Sequence, residues 1–366
     1  MRRLKGKPSQ PENERGAAGV LVAVTMLVLI GAGALAVDVG QIYAERAQLQ
    51  NAADSGALAV VEACYETPCS QEDAESIAES LANANSNDGA SNVAEVDLTV
   101  ANHVTVRTTT QSGSNSFLTK MFASALDAPA VTVGAHATAT FLYPPTGVSI
   151  LPLVFATCEF VDDGQPHKIL THSGSAGGPS PAKESPAKES DKGKGKDEEK
   201  GGGDESGSKN PADCNSTNPS GQIVPGGFAW LNPNRDVECE VKATVGEWSD
   251  GSEGLAIPTE CKDLFDPDAT PSLKDRTVAL PVYAYTCEGM TKCTGSHTEY
   301  MIEKWAGFKI ERWNFPGHSY DPSPGVFAGG ETGLYGTFVG YAADPSLFTG
   351  GSTTPNGNVV VIDLID

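Results

Sequence analysis

From Ala17 to Val37 the chain carries no charge and almost nothing but apolar side chains, with Arg15 just before this run and Asp38 just after it. About 21 residues at about 1.5 Å each reach roughly 31 Å as a helix, the hydrocarbon thickness of a bilayer. The run is therefore read as a single membrane-spanning helix over residues 17–37. Arg2, Arg3, Lys5, Lys7 and Arg15 all precede it. Because Lys and Arg beside a span stay cytoplasmic, residues 1–16 are expected inside the cell membrane and everything from Asp38 onward outside. A cleavable secretory signal has the same layout, with Ala34-Leu35-Ala36 as its small-residue site. The run is longer than most signal cores and the helical pattern continues past it, which favours an uncleaved anchor.

That continuation runs from Gln41 to Glu62, without Pro and with Gly56 as its one glycine. Ile42, Leu49, Ala52, Ala53, Ala57 and Val60 recur mostly at three, four or seven, which predicts an amphipathic helix extending the membrane helix into solvent. Its Ala-rich face is shallow and suits close helix packing. An ordinary helix packed on its own domain has the same pattern, and periodicity does not name the partner.

Arg15-Gly16-Ala17-Ala18, the apolar span, Ala36-Val37-Asp38-Val39-Gly40, Tyr43, Leu49-Gln50-Asn51-Ala52-Ala53-Asp54 and Ala57-Leu58-Ala59 follow one another over about 50 residues. In this order they resemble the N-terminal module of TadE/TadG-like proteins of the Flp-type, tight-adherence pilus assembly system. The segments around Pro225–Leu231, Ala279–Tyr283 and Gly336–Tyr341 more loosely resemble the outer region of such proteins in high-GC Gram-positive bacteria. The resemblance implies a structural role, with the membrane and pilus-assembly or minor-pilin subunits as partners, and neither cofactor nor catalysis. It makes Asp38, Tyr43, Leu49, Asn51 and Asp54 candidate helix-packing residues. Pseudopilins of this system that are processed carry Glu five residues after the cleavage Gly, whereas the fifth residue after Gly16 is Leu21, so processing at Gly16 does not carry over. Larger TadG-type members can hold an Asp-x-Ser-x-Ser metal motif at a strand end. Asp204-Glu205-Ser206-Gly207-Ser208 lies instead in a Gly/Lys/Glu tract with no apolar strand before it, and it is read as a chance match.

The composition suits an exported envelope protein. The 366 residues include 47 acidic and 25 basic ones, a formal charge of −22, which argues against nucleic acid as a partner. All eight cysteines, Cys64, Cys69, Cys158, Cys214, Cys239, Cys261, Cys287 and Cys293, lie beyond the span. In an oxidising compartment an even number reads as disulfides, and eight allow about 105 complete pairings. Proximity favours Cys64 with Cys69 and Cys287 with Cys293, then Cys239 with Cys261, leaving Cys158 and Cys214 to bracket a low-complexity tract. Structural zinc is the competitor, but no pair has Cys-x-x-Cys spacing and the histidines are scattered.

Two blocks follow the anchor. In residues 38–143, a helix is predicted over Glu72 to Asn85, and a strand pair over Glu95 to Thr110 turning at Ala101-Asn102-His103. A second helix is predicted over Ser116 to Leu126 and a strand over Ala130 to Phe141. This is a small α+β unit with a pilin-like layout. Pro144-Pro145 opens residues 144–366. Here Ser149–Phe155, Gly227–Leu231, Val237–Val245, Thr277–Thr286, Tyr300–Trp313, Leu334–Ala342 and Asn358–Ile365 read as strands of a β-rich, disulfide-containing domain. Residues 172–210, with the repeat Pro181-Ala182-Lys183-Glu184-Ser185 and Pro186-Ala187-Lys188-Glu189-Ser190, hold too few apolar side chains to offset their ordering entropy and are predicted to be disordered. Trp230, Trp248, Trp305 and Trp313 read as core or rim aromatics, with a surface-binding role as the alternative.

No Gly-x-Ser-x-Gly elbow, His-Glu-x-x-His pair or phosphate loop occurs, and His167 and His172 stand beside the low-complexity tract, poor scaffolding for ligands. The expectation is a non-enzymatic, single-pass α+β protein with no cofactor or metal. Its role is structural in Flp/Tad-type pilus assembly, with a secreted or surface-displayed adhesion or ligand-binding protein as the alternative.

Overall fold

The computed structural model describes residues 14–87, 89, 91–111, 118, 120–171, 214–233, 239–252, 256–291, 298–349 and 351–365. The predicted disordered tract, the Asp204–Ser208 motif, His172 and Cys293 lie outside the described residues. The chain divides into two compact units, Met1–Thr140 with Asp363–Asp366, and Phe141–Ile362.

The first unit is α plus β. One unbroken helix, α1 (Glu14–Cys64), carries both the apolar run and its amphipathic continuation. A disulfide from Cys64 to Cys69 follows its end, and α2 (Gln71–Ala84) starts at once, its first turn capped by the Ser70 hydroxyl accepting the Asp73 N–H. Strands β1 (Ser91–Asp97) and β2 (His103–Thr110) pair antiparallel across the expected turn, where Asn102 takes the left-handed conformation. The third strand, β3 (Gly134–Leu142), pairs antiparallel with β2.

The core of this unit is built from small residues. Ala52, Ala53, Ala57, Val60 and Val61 of α1 are fully buried, as are Ala74, Ala78 and Ala82 at every fourth position of α2. Alanines at that spacing form a flat stripe that lets two helices approach closely. Val106 of β2 closes the other side against Gly56.

The predicted helix over Ser116 to Leu126 is not formed in the described residues. Leu118 instead bridges Val131 antiparallel, and only Ala123–Leu126 winds into a 3₁₀ turn, ended by Asp127 in the left-handed conformation. The apolar spacing there serves a loop whose backbone is bonded to α1.

The second unit is built of strands. Its elements are β4 (Thr146–Ser149), β5 (Leu153–Ala156), β6 (Pro166–Leu170), β7 (Phe228–Trp230), β8 (Val241–Thr244), β9 (Trp248–Asp250), β10 (Arg276–Thr286), β11 (Glu299–Phe315), β12 (His318–Tyr320), β13 (Gly333–Phe338), β14 (Tyr341–Ala343), β15 (Phe348–Thr349) and β16 (Val359–Ile365). The order β6-β13-β11-β10-β5-β7 makes the main sheet, with β9 and β12 added on β11. Thr171, just after β6, bridges Phe228 of β7, a single contact that brings the two ends of the six-strand order together as a barrel. β15, β4 and β8 form a small second sheet, and β14 pairs parallel with β16.

Alternation along each strand divides the apolar residues between two cores. Leu153 and Phe155, Phe228 and Trp230, and Val278, Leu280 and Val282 join one cluster. Val154 and Ala156, Ala229 and Leu231, and Ala279 join the other. Phe155 packs edge-on against Phe228, Phe308 and Phe338 at centroid distances of 6.0, 5.1 and 5.7 Å. Trp230, Trp305 and Trp313 are core residues, while Trp248 packs edge-on against Tyr285.

Two sequence-predicted strands divide. Ser149–Phe155 splits into β4 and β5, because the Ser149 hydroxyl bonds the backbone of Leu151 and Pro152 has no N–H to continue a ladder. Leu334–Ala342 splits into β13 and β14, which pair with different neighbours. Cys158–Cys214 and Cys239–Cys261 are bonded in this unit, and Cys287 is also in a disulfide.

Candidate membrane-anchor and assembly helix

Helix α1 is two physically different rods joined end to end. Residues 18–37 are exposed along their whole length except Ala34, which is half-buried. Val20, Leu21, Met26, Leu27, Leu29 and Ile30 leave more than half of their surface open. A fully exposed apolar cylinder of this length matches a hydrocarbon solvent rather than water. From Leu49 onward the same helix is buried on one side against α2 and β2.

The sequence-predicted helix-packing residues fall on different sides of this rod. Leu49 is buried within the first unit, and its carbonyl accepts the Thr108 hydroxyl at 2.9 Å. Asp54 is half-buried and accepts from the Gln50 amide at 2.8 Å, and the same amide reaches the His136 carbonyl at 3.1 Å. Tyr43 and Asn51 are exposed. Asp38 is 4% exposed, and its two carboxylate oxygens accept the backbone N–H groups of Phe122 and Ala123 at 2.8 and 2.6 Å. Beyond the span, the positions around Tyr43 are thus exposed on α1, as is Asn51 further along it.

Sequence reasoning missed the partners that hold α1. Asn85 donates to the Ser55 hydroxyl at 2.9 Å, and Gln48 accepts the Asn87 N–H at 2.9 Å. Both fix the end of α2 against α1. The usable signal was the Ala74-Ala78-Ala82 spacing, which mirrors the Ala-rich face of α1.

A cleft of about 510 Å³ lies beside α1, lined by Gln50, Asp54, His136–Thr138, Leu364 and Ile365. Its carboxylate is engaged by its own neighbour Gln50, and no nucleophile and base converge there. Among the described residues no group of three or more His, Cys, Asp or Glu is placed to hold a metal ion. His167, one of the two histidines noted in the sequence, pairs with Asp163 at 2.8 Å. That imidazole holds the Asp163 carboxyl below the usual range.

Residues 16–63, nearly the whole of α1, match the Tad family, described as Flp pilus-assembly TadE/G-like. No curated protein and no solved structure matches the chain. The match covers the apolar rod and the Ala-packed rod together and is a likeness of the N-terminal helix alone.

Proposed function

We propose that the protein is a membrane-anchored structural component of Flp/Tad-type pilus assembly. The observation that carries this reading is the continuity of α1, whose exposed apolar part and Ala-packed part both fall inside the Tad match. Residues 1–16 are cytoplasmic, 17–37 cross the cell membrane, 38–143 form the Tad-associated unit, and 144–366 are presented outside. The basic flank before the span supports that orientation. The exposed α1 positions near Tyr43 are where pilus-machine or minor-pilin subunits contact the chain laterally, and the protein performs no catalysis.

Deleting the gene in its host and complementing with the full chain tests the role. The expected result is loss of surface pili by electron microscopy and their return on complementation. Normal pili with reduced attachment would overturn the assembly role in favour of adhesion. Protease added to spheroplasts is expected to remove everything beyond Asp38 and spare an N-terminal tag. Recovery of a soluble chain beginning near Val37 would sink the anchor.

A further inference from the structure

The span of α1 ends at a carboxylate that does not face solvent. Asp38 is buried, and its partners are the N–H groups of Phe122 and Ala123. One turn further on, Gln41 accepts the N–H of Met121 at 3.3 Å. Three consecutive backbone donors of one loop are thus tied to two side chains at the membrane edge of the helix. The loop so held presents apolar side chains outward, with Met121 68% and Phe122 46% exposed. Asp38 directly follows the apolar run, whose last residues Leu35 and Val37 are exposed, so the loop adjoins the end of the span.

The depth of the loop follows from the helix. Positions 49, 45, 41, 38 and 34 share one face at intervals of three and four, and on this face burial or half-burial persists down to Ala34. Ala34 lies about 6 Å along the axis before Asp38, inside the apolar run. The covered face of α1 therefore overlaps the last turn of the span, where soluble structure would otherwise have ended. A carboxylate this close to hydrocarbon is costly unless its charge is met by donors, and the loop backbone supplies them.

We infer that the loop around Met121 and Phe122 is a second, shallow membrane contact, with these two side chains in the headgroup–acyl boundary beside α1 and Asp38 as the pin that holds them there. This rests on the reading of α1 as a membrane span. The occupant is the lipid surface, because the loop adjoins the span and apolar residues at this depth partition into that boundary. Two contacts fix the orientation of the first unit on the bilayer, which a single helix free to rotate about its axis does not.

The test uses the full chain in phosphatidylcholine vesicles with bromine placed either near the headgroup end or near the methyl end of the acyl chains. Three variants each add one tryptophan: Phe122→Trp, Leu27→Trp and Val100→Trp. The unsubstituted chain gives the background of its four native tryptophans. Val100 is exposed in the β1–β2 turn. Because Leu49 meets Thr108 and Gly56 meets Val106, this turn lies toward the far end of α1. Phe122→Trp is expected to be quenched on the order of twofold more by shallow than by deep bromines, Leu27→Trp chiefly by deep ones, and Val100→Trp by neither. An unquenched Phe122→Trp with a quenched Leu27→Trp would overturn the lipid contact and leave the span standing. An unquenched Leu27→Trp would bring down the span and the inference together.

Discussion

The two units reach a packed core by opposite means. The first closes α1 on α2 with Ala52, Ala53 and Ala57 of one helix and Ala74, Ala78 and Ala82 of the other buried, side chains with no rotamers to lose and little volume to fit. The second fills its barrel with rings, and Phe155 meets Phe228, Phe308 and Phe338 edge-on while Phe308 and Phe338 meet at a tilt. Small residues exclude insertion but lose little on deletion, because there is little side chain to delete. Rings give large burial per residue and leave a void when truncated. The alanine core should therefore break by overpacking and the aromatic core by cavities.

The largest effect is expected from Phe155→Ala. A fully buried ring with three aromatic neighbours should cost about 3–5 kcal/mol. Guanidinium unfolding followed by tryptophan emission reads the second unit alone, since all four tryptophans lie in it. A loss below about 1 kcal/mol would mean that the barrel interior collapses to fill the gap, and the contrast between the units would fail.

Next in size is Ala78→Leu. Its extra atoms enter an interface where Ala78 is completely buried and lies within van der Waals reach of Gly56, and the expected cost is about 1–3 kcal/mol. Faster amide hydrogen exchange in α2, with unchanged tryptophan emission, would confine the damage to the first unit. Unchanged exchange would show that the helices part without penalty.

These particulars also explain what could be read from the sequence. The 51-residue α1 was legible because a charge-free run, a Pro-free continuation and a 3–4 spacing all agree. The β1–β2 pair was legible from its alternation. The segment before Leu126 was misread because its spacing is helical, while its conformation is decided by Asp38, more than 80 positions earlier. β6 went unnoticed because Pro166-His167-Lys168 shows no alternation and gains its place by pairing with β13. Barrel closure depends on one bridge between Thr171 and Phe228 and on the parallel pairing of β5 with β10, contacts that no local pattern encodes. For the candidate site, the apolar half of α1 was evident, but whether the alanine face met its own unit or a partner needed α2 in place.

A smaller effect separates the units by pH. Burial raises the Glu159 carboxyl above the usual range, although the Gly227 N–H and nearby His167 pull the other way. A raised carboxyl binds its proton more tightly in the folded state. Its contribution is then fully present below the ordinary glutamate value and is lost as pH rises through the raised one. Glu159→Gln keeps an acceptor for Gly227 and removes the titration. Its Tm, read by near-ultraviolet dichroism of the buried tryptophans, should fall less steeply than that of the unsubstituted chain between mildly acidic and neutral pH. Parallel Tm curves would show that the carboxyl is solvated after all.

The smallest expected effect is the sharpest probe of the alanine core, because its sign depends on a few tenths of an ångström. A Cβ added at Gly56 would lie 3.5 Å from Val106 Cγ1, and 3.6 and 3.7 Å from Cα and Cβ of Ala78. These are ordinary contacts, so the methyl group fits without displacing either neighbour. Glycine within a helix also costs conformational entropy that alanine does not. Gly56→Ala should therefore stabilise the first unit by about 0.5–1 kcal/mol, slowing hydrogen exchange in both α1 and α2. Faster exchange instead would mean that backbone already touches backbone where the helices cross. The interface would then tolerate no side chain at all at that position, and Ala78→Leu should prove far more damaging than overpacking alone predicts.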